Sequence, residues 1–445
     1  LAGGLCMCGI YVTNDRFKGT SDAERCFLCS LMITVIEFIT GVIMNIGDKY
    51  QVKIIDIDTF GNGIAKVNNI VIFIKGTFQN EIIEIKIIDI KKRYAIGRLI
   101  NIIKHSIERK EIPCPHYYTC GGCNYLHISF DKENEYKENI IKNTFKDYQV
   151  NKIVHGKPQE YRNKVVFHVQ NKEIGFYQKQ TNTIVPVEKC LLLEEDIQNI
   201  YNQIKRIDLN QVKEITIRTT TTHEVMIIFD GEITEENINY LQTNPLIKSI
   251  YIKDKLAYGT PYIKEKIENL IYTVNPNSFM QVNHEIMLKL YDKIKYYAKT
   301  GSNLLDLYCG TGTIGIYLKD NYTNITGVEI VKSAIENANL NKKLNHLNNI
   351  NFILSDAKGV IATKSYDTII VDPPRSGLTK DVINNLLNSN TQKIIYTSCN
   401  YKTLKQDLNL LEKKYQVIEI TPFNMFPRTD NIECIALLEK NKKRY

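Results

Sequence analysis

The chain contains no tryptophan, no long apolar run and no strong excess of charge of either sign. No window reaches the roughly 18–20 apolar residues that a membrane helix needs. The nearest, Leu31–Met44, is too short and carries Glu37. It also lacks a basic leader and a small-residue cleavage site, so neither a membrane anchor nor a signal peptide is expected. The eleven cysteines are irregularly spaced except around Cys114. In a long chain rich in Lys and Glu that is no disulfide framework, which points to a reducing, cytoplasmic setting. What is present suits a globular protein: 43% hydrophobic and 24% charged residues, with 445 residues allowing two to four domains. The net charge of +8 is mild but uneven, because Lys91–Pro113 holds seven Lys/Arg against two Glu. Such a stretch suits a phosphate backbone, and the plainer alternative is a solvated face.

Residues 1–43 lack the Ile/Lys/Asn bias of the remainder and carry Cys6, Cys8, Cys26 and Cys29. They read as a non-native or disordered extension upstream of Met44, a metal site being the lesser alternative. From Met44 onward come short alternating strands, Tyr50–Asp56, Ile64–Val67, Ile70–Ile74, Glu81–Asp89 and Ala95–Ile103, separated by turn signals such as Gly61-Asn-Gly63. Five strands over 44–104 predict a small OB-type barrel, a common binder of nucleic acid. Residues 105–270 read as a central α+β domain that includes a helix over Asp131–Lys146. From 271 to 445 seven strands alternate with helices: Asn303–Tyr308, Ile325–Glu329, Asn351–Leu354, Thr368–Val371, Lys393–Thr397, Gln416–Pro422 and Glu433–Glu439. That pattern predicts a Rossmann-like, doubly wound sheet, making the chain a multidomain α/β protein.

Cys309-Gly310-Thr-Gly312-Thr-Ile-Gly315 is a GxGxxG pattern between a strand and a helix. Its glycines, Gly310 first, let the backbone turn tightly against a ligand, and Glu329 ends the next strand where a carboxylate can hold ribose hydroxyls. Alone the pattern leaves a dinucleotide oxidoreductase as a rival. Asp306, four residues before the first glycine, and Asp372-Pro-Pro374 at the end of the fourth strand favour S-adenosylmethionine. Asp356 ends the third strand, placed either to meet the adenine amino group or simply to cap the strand end. Gln281, in Asn275-Pro-Asn-Ser-Phe-Met-Gln281-Val-Asn283, carries an amide able to read the methionine portion. Composition alone would make that segment a polar loop.

Cys399, in Tyr396-Thr-Ser-Cys-Asn400, follows a strand at the same edge and has polar neighbours. Buried core cysteines are common, but this position suits a nucleophile. A pyrimidine gives such a thiol a task. C5 of uracil is too weak a nucleophile to take a methyl group unaided, and thiolate addition at C6 makes it an enolate carbon. A base must then remove the C5 proton so that the thiol leaves. The thiol must ionise near neutral pH, and a stacked base must swing out to reach it.

Gln281, the Asp306–Gly315 loop, Asp372-Pro-Pro-Arg-Ser-Gly377, Ser398-Cys399-Asn400 and Phe426-Pro-Arg-Thr-Asp-Asn-Ile-Glu433 resemble the RNA uracil-5-methyltransferase family, over essentially all of 44–445. Gly61-Asn-Gly-Ile-Ala-Lys66 resembles the TRAM module, an RNA-binding barrel. The resemblance implies that Cys399 is the nucleophile and Glu433 the base that takes the C5 proton. It also implies that Gln281, Tyr308, Glu329 and Asp372 hold S-adenosylmethionine. Without it, Glu433 is only an acidic residue beginning a strand. Asp430-Asn431 departs from the family's usual Gly-His, and Thr313 stands where some relatives have asparagine.

Cys114-x5-Cys120-x2-Cys123 is a tight thiol motif, and Cys190 is the remaining cysteine of the middle region. Spacing alone leaves zinc and an iron–sulfur cluster open. The resemblance to ribosomal-RNA members of the family favours a four-iron four-sulfur cluster with a structural or RNA-contacting role; the spacing is not the C-x3-C-x2-C of radical enzymes. The same resemblance favours 23S ribosomal RNA over transfer RNA as partner. No obligate protein partner is evident in the sequence, and a monomer is expected. Rivals are a cytosine-5-methyltransferase, which often has a second cysteine where Pro374-Arg375 stands, and an exocyclic-amine methyltransferase, which places an aromatic there. A catalytically silent RNA-binding factor is the rival from another class, against which Cys399 and Glu433 both argue.

Overall fold

The computed structural model describes residues 44–179, 181–361 and 365–441, so the segment 1–43 and its four cysteines lie outside the described residues. The chain forms two compact units that divide after Glu111.

The first unit is a six-stranded sheet: β1 (Lys49–Lys53), β2 (Asp56–Ile57), β3 (Asn62–Val67), β4 (Ile70–Lys75), β5 (Ile82–Ile90) and β6 (Tyr94–Lys104), in the order β1-β5-β6-β4-β3-β2. The single strand predicted over Tyr50–Asp56 is two, because the chain changes partners at Ile54–Ile55. Ile54 N–H donates to Glu81 C=O (2.9 Å) and Ile55 N–H to Ile64 C=O (2.9 Å). One continuous segment thus borders β5 and then β3, joining the two edges of the sheet as closure of a barrel requires. Period-two alternation fills the interior with Ile54, Ala65, Ile72, Ile74, Ile83, Ile85, Ile87 and Ala95.

The second unit begins with the cysteine loop and α1 (Phe130–Thr144), capped by the Ser129 hydroxyl, which accepts from Lys132 N–H (3.2 Å). A seven-stranded sheet follows, of β7 (Lys164–Gln170), β8 (Glu173–Tyr177), β9 (Ile184–Pro186), β10 (Val212–Arg218), β11 (Val225–Gly231), β12 (Ile247–Ile252) and β13 (Lys255–Gly259). The helices α2 (Glu195–Ile204) and α3 (Glu235–Leu241) share one core with it, and a hairpin, β14 (Ile263–Ile267) and β15 (Leu270–Val274), leads onward. Next come α4 (His284–Ala298), β16 (Gly301–Leu307), α5 (Thr313–Tyr317), β17 (Tyr322–Glu329), α6 (Lys332–Leu344), β18 (Ile350–Leu354), β19 (Thr368–Val371), α7 (Lys380–Asn388), β20 (Lys393–Ser398), α8 (Tyr401–Leu411), β21 (Tyr415–Phe423) and β22 (Glu433–Lys440). The strands form one sheet, β18-β17-β16-β19-β20-β22-β21, in which β22 alone runs antiparallel to its neighbours.

Burial on both faces explains why these strands read as continuous apolar runs, Thr368-Ile-Ile-Val371 being buried throughout. The hairpin, α4 and α6 pack one face through Tyr272, Ile286, Leu290, Ile294 and Ala338. The other face is covered by α7, α8 and also α1, whose Ile140, Ile141 and Phe145 join Leu305, Val371, Ile383 and Leu404 in one core. Residues after α1 then border β21, with bridges Val150–Ile420 and Val154–Phe423. Among the described residues no helix is long and apolar enough to cross a membrane.

Candidate active site

Strand register assembles the site. Leu307 pairs with Val328 on one side and Val371 on the other, and Val371 pairs with Tyr396. One residue further along each strand, Glu329, Tyr308, Asp372 and Thr397 therefore stand in a row at the carboxyl edge, where the strand order reverses and ligands of such sheets bind. Between β20 and β22 the ladder is antiparallel and its last pair is Ser398 with Cys434. The residues next beyond that pair are Cys399 after β20 and Glu433 at the start of β22.

The glycine loop is built for close approach. Gly310 and Gly312 adopt left-handed backbones, with φ of +53° and +79°. A Cβ on Gly312 would lie 2.4 Å from Phe352, whereas one on Gly310 would meet nothing within 4 Å. Tyr308 shares that conformation at φ +61°, uncommon for an aromatic residue and characteristic of functional turns. Asp306 is fully buried, and one of its carboxylate oxygens accepts from Gly315 N–H (3.1 Å). Its acid is pushed up to about 7 by burial, helped by the charges of Asp372 and Glu329. Glu329 braces the loop, accepting from Gly310 N–H (3.2 Å), Ile330 N–H (2.8 Å) and Val331 N–H (3.0 Å). Asp356 is exposed and caps the short turn Ala357–Gly359 through Lys358 N–H (3.0 Å). Gln281 is buried; its carbonyl accepts from the Asn163 amide (3.1 Å), and Asn283 caps α4. From α4 the Tyr291 hydroxyl donates to Thr313 Oγ1 in the glycine loop (3.0 Å).

At the other end of the row, Cys399 is half-buried and Glu433 is 7% exposed. Burial pushes the Cys399 thiol up, the charges of Glu433 and Asp372 add to this, and Arg375 opposes it. Burial likewise carries Glu433 up to about 8, with Asp372 adding and Arg375 opposing. Asp372 is raised by burial, against a hydrogen bond from Thr397. The thiol, this carboxyl and the Arg375 cation thus form one electrostatic group, in which burial favours the neutral acids and Arg375 their ionised forms. Sequence reasoning missed the part played by Arg375. Its guanidinium donates to Asn431 Oδ1 (3.2 Å), and its carbonyl accepts from Asn400 Nδ2 (3.0 Å) and Thr403 Oγ1 (3.3 Å). Asp407 secures the same turn, accepting from Leu378 N–H (2.8 Å) and the Tyr396 hydroxyl (2.6 Å). The spacing of Asn400, Thr403 and Asp407 along one face of α8 was the available signal.

Cys114, Cys120, Cys123 and Cys190 line a common cavity of about 420 Å³, together with His116, Arg162 and Lys189. Among the described residues no three His, Cys, Asp or Glu side chains are grouped so as to hold a metal ion. Four sulfur donors around one roomy space nonetheless match the donor set of a cubane cluster.

Residues 129–441 match the family model for tRNA (uracil-5-)-methyltransferase, and residues 44–100 match the TRAM domain. The chain belongs to the tRNA (uracil-5-)-methyltransferase family. An uncharacterised RNA methyltransferase of Staphylococcus aureus strain MSSA476 is 34% identical over 439 residues, covering 86% of this chain and 96% of that protein. One from Bacillus cereus strain ATCC 14579 is 32% identical over 440 residues, covering 86% and 95%. The solved Pyrococcus abyssi tRNA (uracil-54, C5)-methyltransferase, in complex with S-adenosyl-L-homocysteine, shares the fold with a TM-score of 0.75 at 24% identity, over 87% of this chain and 99% of that one. The protein is thus an RNA (uracil-5-)-methyltransferase with a TRAM barrel and a Rossmann-like methyltransferase fold. That excludes the dinucleotide oxidoreductase that the glycine motif alone left open.

Proposed function

We propose that this uracil-5-methyltransferase acts on 23S ribosomal RNA, with Cys399 as nucleophile and Glu433 as base. The carrying observation is the β20–β22 register, whose last pair, Ser398 with Cys434, is flanked by Cys399 on one strand and Glu433 on the other, each within electrostatic reach of Asp372. The Cys399 thiolate adds to C6 of a flipped uridine, and the C5–C6 double-bond electrons move into an enolate. S-adenosylmethionine supplies the methyl group that C5 receives. Glu433 in its ionised form, which Arg375 favours, then accepts the C5 proton; the C5–H electrons re-form the double bond and the C6–S bond breaks, returning the thiolate. Gln281, Tyr308, Gly310, Glu329, Asp356 and Asp372 would hold the donor around the glycine loop, and the barrel would grip the RNA. The test is RNA containing 5-fluorouridine, mixed with protein and donor. A denaturation-resistant adduct is expected, since fluorine cannot leave as a proton does. Its absence while the donor still binds would overturn the assignment.

The ribosomal substrate is supported by the TRAM barrel combined with the four-cysteine cavity. The matched family's description and the Pyrococcus relative favour transfer RNA as the second reading. Mapping 5-methyluridine with and without the gene decides: loss from 23S RNA supports the first, and loss from transfer RNA alone overturns it. Cys114, Cys120, Cys123 and Cys190 would hold the four-iron four-sulfur cluster, which would supply rigidity or an RNA contact. Iron and labile sulfide in anaerobically purified protein are expected; zinc in their place would overturn this.

A further inference from the structure

A buried ion pair stands apart from the site. Glu133 and Lys137, one turn apart on α1, have wholly buried side chains 2.9 Å from each other. Buried ion pairs stabilise folds poorly, because desolvation offsets their attraction, so their hydrogen-bond partners indicate what they do. Those partners lie some 290 residues on, in the β21–β22 connection that delivers Glu433. One Glu133 oxygen accepts from Arg428 N–H (2.8 Å) and from Asn424 Nδ2 (3.1 Å). Its other oxygen accepts from the Arg428 guanidinium (3.4 Å). Lys137 donates to Asn424 Oδ1 (2.7 Å) and to Phe426 C=O (3.3 Å).

Arg428 sits at φ +68°, a backbone that non-glycine residues keep only when their surroundings impose it. Its carbonyl accepts from Asn124 N–H (2.7 Å), next in sequence to Cys123, while Tyr161 donates to Pro427 C=O (3.0 Å). Beyond Arg428 only four residues precede Glu433; among them Asn431 accepts from Arg375, and Ile432 is buried in the α1–α8 core. The connection is therefore fixed upstream by charges on α1 and downstream by Arg375.

We propose that Glu133, balanced by Lys137, is a positioning residue that sets Glu433 for removal of the C5 proton. This rests on the base role given to Glu433 above. The side chains touch neither Cys399 nor the glycine loop, so their loss should act on the second half of the reaction alone. The test is the double variant Glu133→Gln/Lys137→Met, which removes both wholly buried charges together and leaves Arg428 an amide oxygen in place of the carboxylate, on unmodified RNA under single-turnover conditions. Expected are formation of the covalent adduct and donor affinity within about twofold of wild type. Resolution of the adduct should be slower by about tenfold or more, as a misplacement of about 1 Å can cost up to about 100-fold. Formation and resolution slowed equally would mark a merely structural role, and no change in resolution would likewise overturn the inference. Glu433→Gln is run beside it. If that variant fails to trap adduct, the base assignment falls; if it traps adduct while the double variant does not, only the positioning role falls.

Discussion

Replacing Glu433 by glutamine should stabilise the protein in alkaline solution while preventing it from finishing its reaction. The carboxyl is carried from about 4.5 to about 8, chiefly by burial and then by Asp372. Between those values the folded chain keeps a proton that the unfolded chain has released. Wild-type stability therefore falls as pH rises through that window, and the loss is complete above about 8. At about 1.4 kcal/mol per pH unit, a span of roughly 3.5 units gives a ceiling on the order of 5 kcal/mol. Glutamine has no such proton and fills the same space. The stability difference between variant and wild type should move in the variant's favour by several kcal/mol between about pH 5 and pH 9. Denaturant unfolding followed by circular dichroism or tyrosine fluorescence measures it, since the chain has no tryptophan. Parallel pH curves for the two proteins would refute the argument that burial holds this acid protonated. The same variant should accumulate covalent RNA adduct, because addition and methyl transfer precede proton removal.

Cys399→Ala should abolish turnover and adduct while leaving S-adenosylmethionine affinity largely intact, as measured by calorimetry. Arg375→Met removes a cation that favours the ionised form of Glu433, so the midpoint of the pH profile for adduct resolution should move upward. A midpoint that stays or falls would contradict this sign. Gly312→Ala forces a Cβ to 2.4 Å from Phe352 at φ +79°, and should weaken donor binding by about tenfold or more. Calorimetry beside a thermal melt separates that loss from unfolding.

The two halves of the site were unequally legible. The glycine loop follows a strand and opens a helix, so Asp306, Gly310 and Glu329 announced a nucleotide-type pocket through local pattern. Cys399 was visible for the same reason, as a polar strand end. Glu433 was not, except through family resemblance: a carboxylate at the start of a strand has no local mark of chemistry. Its place depends on β22 running against β20, which no periodicity encodes. The helix over Asp131–Lys146 was recognisable from its pattern and was grouped with the central region, yet Ile140, Ile141 and Phe145 complete a face of the methyltransferase sheet. Its Glu133 and Lys137 carry no local mark of burial, since an i, i+4 pair looks alike whether exposed or buried.

Local sequence determined the strands and helices, the glycine turn, the barrel's alternation and the thiol at a strand end. These depend on neighbours within a few residues, where backbone stereochemistry and side-chain period act directly. Tertiary structure alone decided which carboxylate lies near that thiol, that Cys190 shares one cavity with the Cys114–Cys123 motif, and that an ion pair on α1 grips the loop before Glu433. Those facts are set by strand order, register and the removal of water from charges that only the closed fold brings together.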